Sequence, residues 1–270
     1  MSDFAGAQFL SGLALTAGAV LVLVFATWLL ALRVGRFNLI DITWGLGFVV
    51  VALVALAWSA GDGDTTRRVL VAVLVSIWGL RLATYIGIRS RGKGEDPRYE
   101  AMLDRAGGSR ARYALVSIYL TQAVGLWFIS LPVQVAMFEQ HSPGILTWVG
   151  TAVWVIGFFF ESVGDSQLSR FKADPANHGQ VMDRGLWHYT RHPNYFGDAT
   201  MWWGLYLIAA QQLPGALTIL SPILMTYLLV AKTGKPLLEQ GMAERRPGYR
   251  DYIERTSGFF PLPPKRVRRA

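Results

Sequence analysis

An uncharged stretch near the N-terminus, residues 4–32, constrains the fold of the chain more than any other feature. About 20 mainly apolar residues are enough for a helix to cross the hydrocarbon core of a bilayer, so this stretch predicts a membrane span. Six further apolar stretches cover residues 42–60, 69–88, 113–138, 145–160, 199–210 and 215–231. The sequence therefore predicts an all-α, polytopic membrane protein with seven transmembrane helices.

The composition excludes the usual soluble classes. Only 16% of the 270 residues are charged and 52% are hydrophobic, whereas soluble domains carry about 25% charged residues. The absence of cysteine excludes a disulfide framework, a thiolate metal site and a cysteine nucleophile. The formal net charge of +8 is concentrated between the apolar stretches, which indicates a membrane orientation signal and predicts no nucleic-acid partner.

The basic residues also predict the orientation of the chain. When seven spans are threaded alternately, all of the 26 basic residues except Arg67, Arg68 and Arg81 fall on one side. Loops rich in Lys and Arg stay in the cytoplasm, so we expect the C-terminus in the cytoplasm and the N-terminus outside. No internal repeat interrupts the chain, and we expect one integral membrane domain over residues 1–270.

Three polar groups lie inside or beside the predicted spans, where an ionisable side chain is costly unless it is paired or hydrated. The first contains Asn38, Asp41 and Trp44, which share one helical face at the start of the second span. Two roles remain open for Asn38 and Asp41, namely capping of the helix N-terminus and participation in a site.

The second polar group belongs to the third span. Arg81, Tyr85 and Arg89 recur every four residues and form one stripe on a helix. Arg81 lies about two turns inside the span, so it needs a partner such as a carboxylate or a phosphate. Arg89 and Arg91 are also typical of the charges that end a span.

The third and densest polar group precedes the sixth predicted span, and it consists of Glu161, Asp165, Arg170, Lys172 and residues 183–198. So many different donors and acceptors at a membrane boundary predict a binding pocket for a charged ligand. His188 and His192 have the spacing of a helical metal site. However, Pro193 disfavours helical backbone at His192, and we predict no metal there.

The third group also carries a family resemblance. Residues 185–198, Gly-Leu-Trp-His-Tyr-Thr-Arg-His-Pro-Asn-Tyr-Phe-Gly-Asp, followed by Trp202-Trp203-Gly204, resemble the signature of the steroid 5α-reductase superfamily. The resemblance is closest to its bacterial membrane branch with the C-terminal steroid dehydrogenase domain. The shorter core Arg-His-Pro-x-Tyr-x-Gly is shared with isoprenylcysteine carboxyl methyltransferases and with sterol reductases related to the lamin B receptor.

This resemblance implies an oxidoreductase of the 3-oxo-5α-steroid 4-dehydrogenase type. Its activity would be NADPH-dependent reduction of a carbon–carbon double bond conjugated to a ketone, in a steroid or similar apolar lipid. The expected location is the bacterial inner membrane, with the cofactor side cytoplasmic. Residues 1–138 would mainly shape the substrate chamber, and residues 139–270 would mainly bind the cofactor.

The resemblance also implies site residues. Those expected to bind NADPH are Arg81, Arg89, Glu161, Asp165, Arg170, Lys172, Tyr189, Arg191, His192, Asn194, Tyr195, Asp198 and Lys232. We expect Asp41 and Tyr85 to meet the substrate ketone. Steroid 5α-reductases use a Gln-Glu pair on the second helix, which this chain lacks. In the related sterol reductases the carboxylate equivalent to Asp198 takes part in proton donation.

Two other function classes remain open. A lipid or isoprenylcysteine methyltransferase that uses S-adenosylmethionine would share the Arg-His-Pro-x-Tyr core. The Glu-Glu pair typical of that class after the final helix is missing, because Gln240 follows Glu239. A non-enzymatic sterol-binding or scaffold protein would leave the third polar group unexplained.

Overall fold

The computed structural model describes residues 6–232, 234–239 and 242–265, and most of these residues are helical. They contain no β-strand, and the one isolated bridge among them joins Thr190 and Ser257 in parallel. The prediction of an all-α chain is confirmed for this part of the protein.

The helices are α1 (Gly6–Val34), α2 (Ile40–Trp58), α3 (Thr65–Ser90), α4 (Pro97–Leu103), α5 (Arg110–Tyr113), α6 (Thr121–Ile129), α7 (Leu131–Ala136), α8 (Ile145–Ala173), α9 (Pro193–Ala209), α10 (Leu213–Ala216), α11 (Leu220–Tyr227), α12 (Lys235–Glu239), α13 (Met242–Arg245) and α14 (Tyr249–Arg255). The segments Ala114–Leu120 and Leu228–Lys232 are π-helical. Short 3₁₀ turns lie at Phe37–Leu39, Pro175–Asn177, Gly185–His188 and Leu217–Ile219.

Six helical segments of the described chain are long and apolar enough to cross a membrane: Gly6–Val34, Phe37–Trp58, Thr65–Ser90, Arg110–Ile129, Ile145–Ala173 and Leu213–Lys232. The predicted sixth span corresponds to α9, which has 17 residues. At 1.5 Å per residue it extends about 25 Å, short of the roughly 30 Å hydrocarbon core. An integral membrane protein is therefore supported, while the seventh span and the orientation of the termini stay predictions.

The chain divides into two compact units. Unit 1 comprises residues within 1–147 and 209–218, and unit 2 comprises residues within 148–208 and 219–270. The predicted roles of residues 1–138 and 139–270 concern function and stay predictions.

In unit 1, a buried ion pair attaches the loop before α8 to the first turn of α3. Arg67 Nη1 lies 3.3 Å from Glu139 Oε2, and both side chains are fully buried. Arg67 also donates to the Glu139 carbonyl at 3.2 Å, and Asp64 caps α3 by accepting from the Arg67 backbone N–H. Burial raises the pKa of Glu139 to about 7, although the charge of Arg67 opposes the shift.

We expect the stability of the protein to fall as the pH rises through the titration of Glu139. Its folded pKa of about 7 exceeds its usual value of 4.5, so the native state binds more protons between these limits. The effect is roughly 3 kcal/mol, at 1.36 kcal/mol per pKa unit. Thermal unfolding in detergent from pH 4.5 to 7.5 measures it. Glu139→Gln should flatten this profile, and Glu100→Gln, an exposed control, should not; an unchanged slope in Glu139→Gln would contradict the assignment.

In unit 2, α8 and α9 pack against each other in antiparallel directions through glycines. A Cβ atom on Gly157 would lie 2.5 Å from the Gly197 carbonyl oxygen, and a Cβ atom on Gly150 would lie 2.5 Å from that of Gly204. Small residues allow such backbone contact, which holds helices together inside a membrane. The contact places Asp165, near the end of α8, beside the start of α9.

Candidate functional site

A polar cluster in unit 1 surrounds Asp41, near the start of α2. The Tyr99 hydroxyl donates a short hydrogen bond to Asp41 Oδ1, and Arg98 Nη2 lies 3.4 Å from Asp41 Oδ2. Tyr99 is only 5% exposed. Burial raises the pKa of Tyr99 well above its usual value, and the adjacent Asp41 carboxylate adds to the shift. The phenol therefore stays protonated and available as a hydrogen-bond donor.

The local sequence explains how Tyr99 reaches this place. Asp96 is the N-cap of α4 and accepts from the Arg98 backbone N–H at 2.9 Å, and Pro97 occupies the first turn. The Asp96 carboxylate also accepts from Arg98 Nε at 3.0 Å and from Nη2 at 2.9 Å. Hydrogen bonds from Arg98 hold the pKa of Asp96 below its usual range, against the effect of burial.

Gln122 and Trp44 complete the cluster around Tyr99. Gln122 hydrogen-bonds to Tyr99, and its side-chain oxygen accepts from Trp44 Nε1. Gln122 follows the π-helical segment Ala114–Leu120, a type of helical irregularity that is frequent at functional sites. Asp41 and Trp44, expected on one face of α2, thus belong to one cluster: Asp41 bonds to Tyr99 directly, and Trp44 bonds to Gln122.

The second membrane segment is capped by Glu95, a residue that the sequence analysis did not name. The Glu95 carboxylate accepts from the backbone N–H groups of Phe37 and Asn38. No side chain caps α2 at its N-cap residue, Leu39. The Asp41 side chain is therefore available to the cluster, and the capping role considered for Asn38 and Asp41 belongs to Glu95.

Tyr85, the tyrosine expected to meet the substrate ketone together with Asp41, lies on α3 between two arginines. Its ring contacts the guanidinium groups of Arg81 and Arg89, each 5.4 Å from the ring centroid. The predicted stripe along α3 is therefore present. The tyrosine whose hydroxyl contacts Asp41 is Tyr99, which the sequence analysis missed because it lies on a short helix outside the spans.

In unit 2, the C-terminal segment Tyr249–Lys265 binds the turn formed by residues 185–191. The Arg191 backbone N–H donates to the Ser257 carbonyl at 2.9 Å, and Thr190 Oγ1 donates to the Phe259 carbonyl at 2.8 Å. The Tyr252 hydroxyl donates to the Trp187 carbonyl at 2.5 Å. These bonds make the C-terminal segment an integral part of the third polar group.

Arg191 connects this segment with α12. Its Nε donates to Glu239 Oε1 at 2.8 Å, and its Nη1 donates to the carbonyls of Ile253 at 3.1 Å and Thr256 at 2.6 Å. The Arg191 side chain is 8% exposed. Burial alone would raise the pKa of Glu239, but hydrogen bonds from His192 and Arg191 lower it to about 2.

His192 contacts the same carboxylate oxygen, with its Nε2 2.9 Å from Glu239 Oε1. Burial lowers the pKa of His192, although the bond to Glu239 opposes the shift. The neutral ring therefore carries its proton on Nε2, facing the carboxylate. Its Nδ1 is buried and accepts no hydrogen bond from the described residues. The ring stacks on Tyr195 at 5.4 Å with an interplanar angle of 4°.

Asn194 and Asp165 are brought together by the packing of α8 on α9. Asn194 Nδ2 donates to Asp165 Oδ1 at 3.1 Å, and Asn194 Oδ1 accepts from the Tyr195 backbone N–H at 3.1 Å. Glu161 and Asp165, four residues apart on α8, are both buried.

The other expected cofactor residues differ in exposure. Arg170, Lys172, Tyr189 and Lys232 are exposed in unit 2, and Asp198 is half-buried on α9. Arg81 and Arg89 belong to unit 1. In the described part of the chain, no group of three His, Asp or Glu side chains has the arrangement of a metal site.

Comparisons with known proteins identify a family but no activity. A family profile described as a protein of unknown function, DUF1295, matches residues 27–256. The uncharacterized protein C594.04c of Schizosaccharomyces pombe is 25% identical over an alignment of 257 positions, which covers 82% of this chain and 72% of that protein. No solved structure matches the chain significantly.

Proposed function

This chain belongs to the DUF1295 family, and we propose that it is an NADPH-dependent membrane reductase. Its substrate would be an apolar lipid, such as a 3-oxo-4-ene steroid, with a carbon–carbon double bond conjugated to a ketone. The observation that carries the proposal is the buried Tyr99 hydroxyl bonded to Asp41 near the start of a membrane segment. The resemblance of residues 185–198 to steroid 5α-reductases supports the choice of reaction.

The residues of unit 2 fit a dinucleotide. His192 Nδ1 is a buried acceptor without a partner among the described residues, and such an atom is costly unless a ligand donor satisfies it. Asn194 and Asp165 add amide and carboxylate groups suited to ribose hydroxyls or a carboxamide. Exposed Arg170, Lys172 and Lys232 add positive charge in the same unit. We expect these residues to hold NADPH.

Unit 1 supplies the acid chemistry in this proposal. NADPH, when bound, supplies the hydride that reduces the carbon β to the ketone. Tyr99 donates its phenolic hydrogen to the ketone oxygen, where negative charge develops during the reduction. Asp41, Arg98 and Gln122 position the phenol. A proton then adds at the α carbon, so the substrate gains one hydride and one proton overall.

The proposed orientation follows the distribution of basic residues. The third polar group and the C-terminus would face the cytoplasm, where NADPH is available, and the N-terminus would lie outside. The substrate would enter from the lipid. A bacterial inner membrane remains the expected location, and the relative in fission yeast indicates that such chains also occur in a eukaryote.

A methyltransferase is the second candidate, and one observation favours it. Glu239 forms ion-pair contacts with Arg191 and His192. A glutamate that follows the last long helix is therefore bound to the Arg-His-Pro-x-Tyr core. The second glutamate of the expected pair is replaced by Gln240, which lies outside the described residues. S-adenosylmethionine would then replace NADPH as the cofactor.

One experiment separates the two functions. The purified full-length protein in detergent is incubated with NADPH and a 3-oxo-4-ene steroid, and in parallel with labelled S-adenosylmethionine and a lipid extract. We expect loss of nicotinamide absorbance and a saturated ketone by mass spectrometry. Label transfer to lipid without NADPH consumption would establish the methyltransferase and exclude the reductase.

A further inference from the structure

Two cationic side chains of unit 2 converge on the backbone of Gly258. A Cβ atom on Gly258 would lie 2.5 Å from Lys235 Nζ and 3.1 Å from Arg191 Nη2. An ammonium and a guanidinium group thus occupy the neighbourhood of one backbone position in the C-terminal segment. Lys235 and Glu239 are the first and last residues of α12. Because Glu239 also binds Arg191, the helix that carries Lys235 is already attached to Arg191.

The charges of this cluster do not cancel. Glu239 is the carboxylate bound to Arg191, and among the described residues no ion pair includes Lys235. His192 is neutral, as argued above, so two positive charges face one negative charge. Like charges in so small a space repel each other unless an anion lies between them. The cluster therefore favours an anionic ligand.

Arg191 retains a donor for such a ligand. A guanidinium group has five N–H bonds. Nε and one N–H of Nη2 face Glu239, and both N–H bonds of Nη1 face the carbonyls of Ile253 and Thr256. One N–H of Nη2 remains, on the atom that borders the space beside Gly258. Lys235 adds up to three more donors at the end of a flexible chain.

We propose that this space, between Lys235, Arg191 and Gly258, binds the 2′-phosphate of NADPH and makes the protein prefer NADPH over NADH. The inference rests on the proposed function and adds the residues that determine cofactor specificity. The Gly258 backbone closes one side of the space, which suits the end of a ligand. A terminal phosphate monoester is such an end, with two negative charges and three free oxygens for the two cations. The pyrophosphate of the nucleotide is linked to a ribose at each end, so it would need a groove that is open on both sides.

Substitutions of Lys235 and Gly258 test the assignment in the full-length protein in detergent. Lys235→Met removes the ammonium, and Gly258→Ala places a methyl group in the space. The fold should tolerate the second change because the nearest atom is the mobile end of Lys235. Lys265→Met is the matched control, because Lys265 is an exposed lysine of the same segment. Binding of NADPH and NADH, which differ by the 2′-phosphate alone, is measured by nicotinamide fluorescence.

We expect Lys235→Met and Gly258→Ala each to weaken NADPH binding about 10- to 100-fold, as for loss of a hydrogen bond to a charged group. NADH binding should change less than about twofold on that account, and Lys265→Met should behave as wild type. An equal loss for both nucleotides would place a shared phosphate in the space and overturn the proposal. An unchanged NADPH affinity would overturn it as well.

A second experiment tests the phosphate site independently of the proposed reductase activity. Thermal protection by adenosine 2′,5′-bisphosphate is compared with protection by 5′-ADP, without any substrate or nicotinamide. Stronger protection by the 2′,5′-bisphosphate that disappears in Lys235→Met would support the phosphate site even if no steroid is reduced. Protection by phosphatidic acid in nanodiscs, lost in Lys235→Met without any nucleotide effect, would assign the space to a lipid headgroup and overturn the proposal.

Discussion

Replacing Tyr99 by Phe is expected to lower kcat for reduction of a 3-oxo-4-ene steroid by roughly 10²- to 10⁴-fold, the range for loss of a positioned acid. The change removes only the hydroxyl that donates to Asp41. Because this hydroxyl would act on the charge that develops at the ketone, kcat should fall far more than the KM for NADPH rises. Stopped assays of NADPH consumption at several substrate concentrations measure both constants.

Tyr85→Phe is the matched comparison for Tyr99→Phe. The Tyr85 ring lies against Arg81 and Arg89, and the substitution keeps the ring. We expect a change in kcat of less than about threefold, because aromatic contacts with cations survive in phenylalanine. A large loss of kcat in Tyr85→Phe, together with a small loss in Tyr99→Phe, would indicate that Tyr85 is the acid and would contradict our assignment.

Replacing Arg191 by Met should destabilise the protein by about 3–5 kcal/mol, the usual result when one partner of a buried ion pair is removed. The Glu239 carboxylate would lose its main cation, and the carbonyls of Ile253 and Thr256 would lose their donor. Equilibrium unfolding in mixed detergent measures the change. We also expect easier proteolysis of the C-terminal segment, which Arg191 holds against residues 185–191.

A double substitution distinguishes this role of Arg191 from a general effect of lost charge. Glu239→Gln in the Arg191→Met background should recover part of the stability, because it removes the unpaired carboxylate. Arg250→Met, at an exposed position of the same segment, should stay within about 0.5 kcal/mol of wild type. Equal stability of Arg191→Met and wild type would show that the ion pair does not hold the segment.

The membrane helices could be predicted from sequence because the bilayer sets a simple requirement for length and polarity. The uncharged stretch 4–32 appears as the single helix Gly6–Val34. The weakest prediction, residues 199–210, is the helix Pro193–Ala209, which begins earlier and is still short for a span. Its packing is explained by glycines that touch α8. A hydropathy pattern does not reveal such contacts.

For each polar contact, the sequence indicated one partner but not the other, because the two residues are far apart in the chain. Asp41 stood out as a carboxylate near the start of a span, but its partner Tyr99 is 58 residues later on a short helix. Arg191 stood out within a dense motif, yet Glu239 is 48 residues away. The Asp-Pro pair at Asp96 and Pro97 signals the start of α4. It does not indicate which face of α4 meets Asp41.

The most direct test of the proposed reductase is isotope transfer from the cofactor to the product. The purified protein is given NADPH that carries deuterium at C4 of the nicotinamide on each face in turn, together with a 3-oxo-4-ene steroid. For one of the two labelled forms, we predict a saturated ketone that contains deuterium at the carbon β to the carbonyl. Recovery of unchanged steroid with both forms, from protein that is folded and binds NADPH, would contradict the reductase.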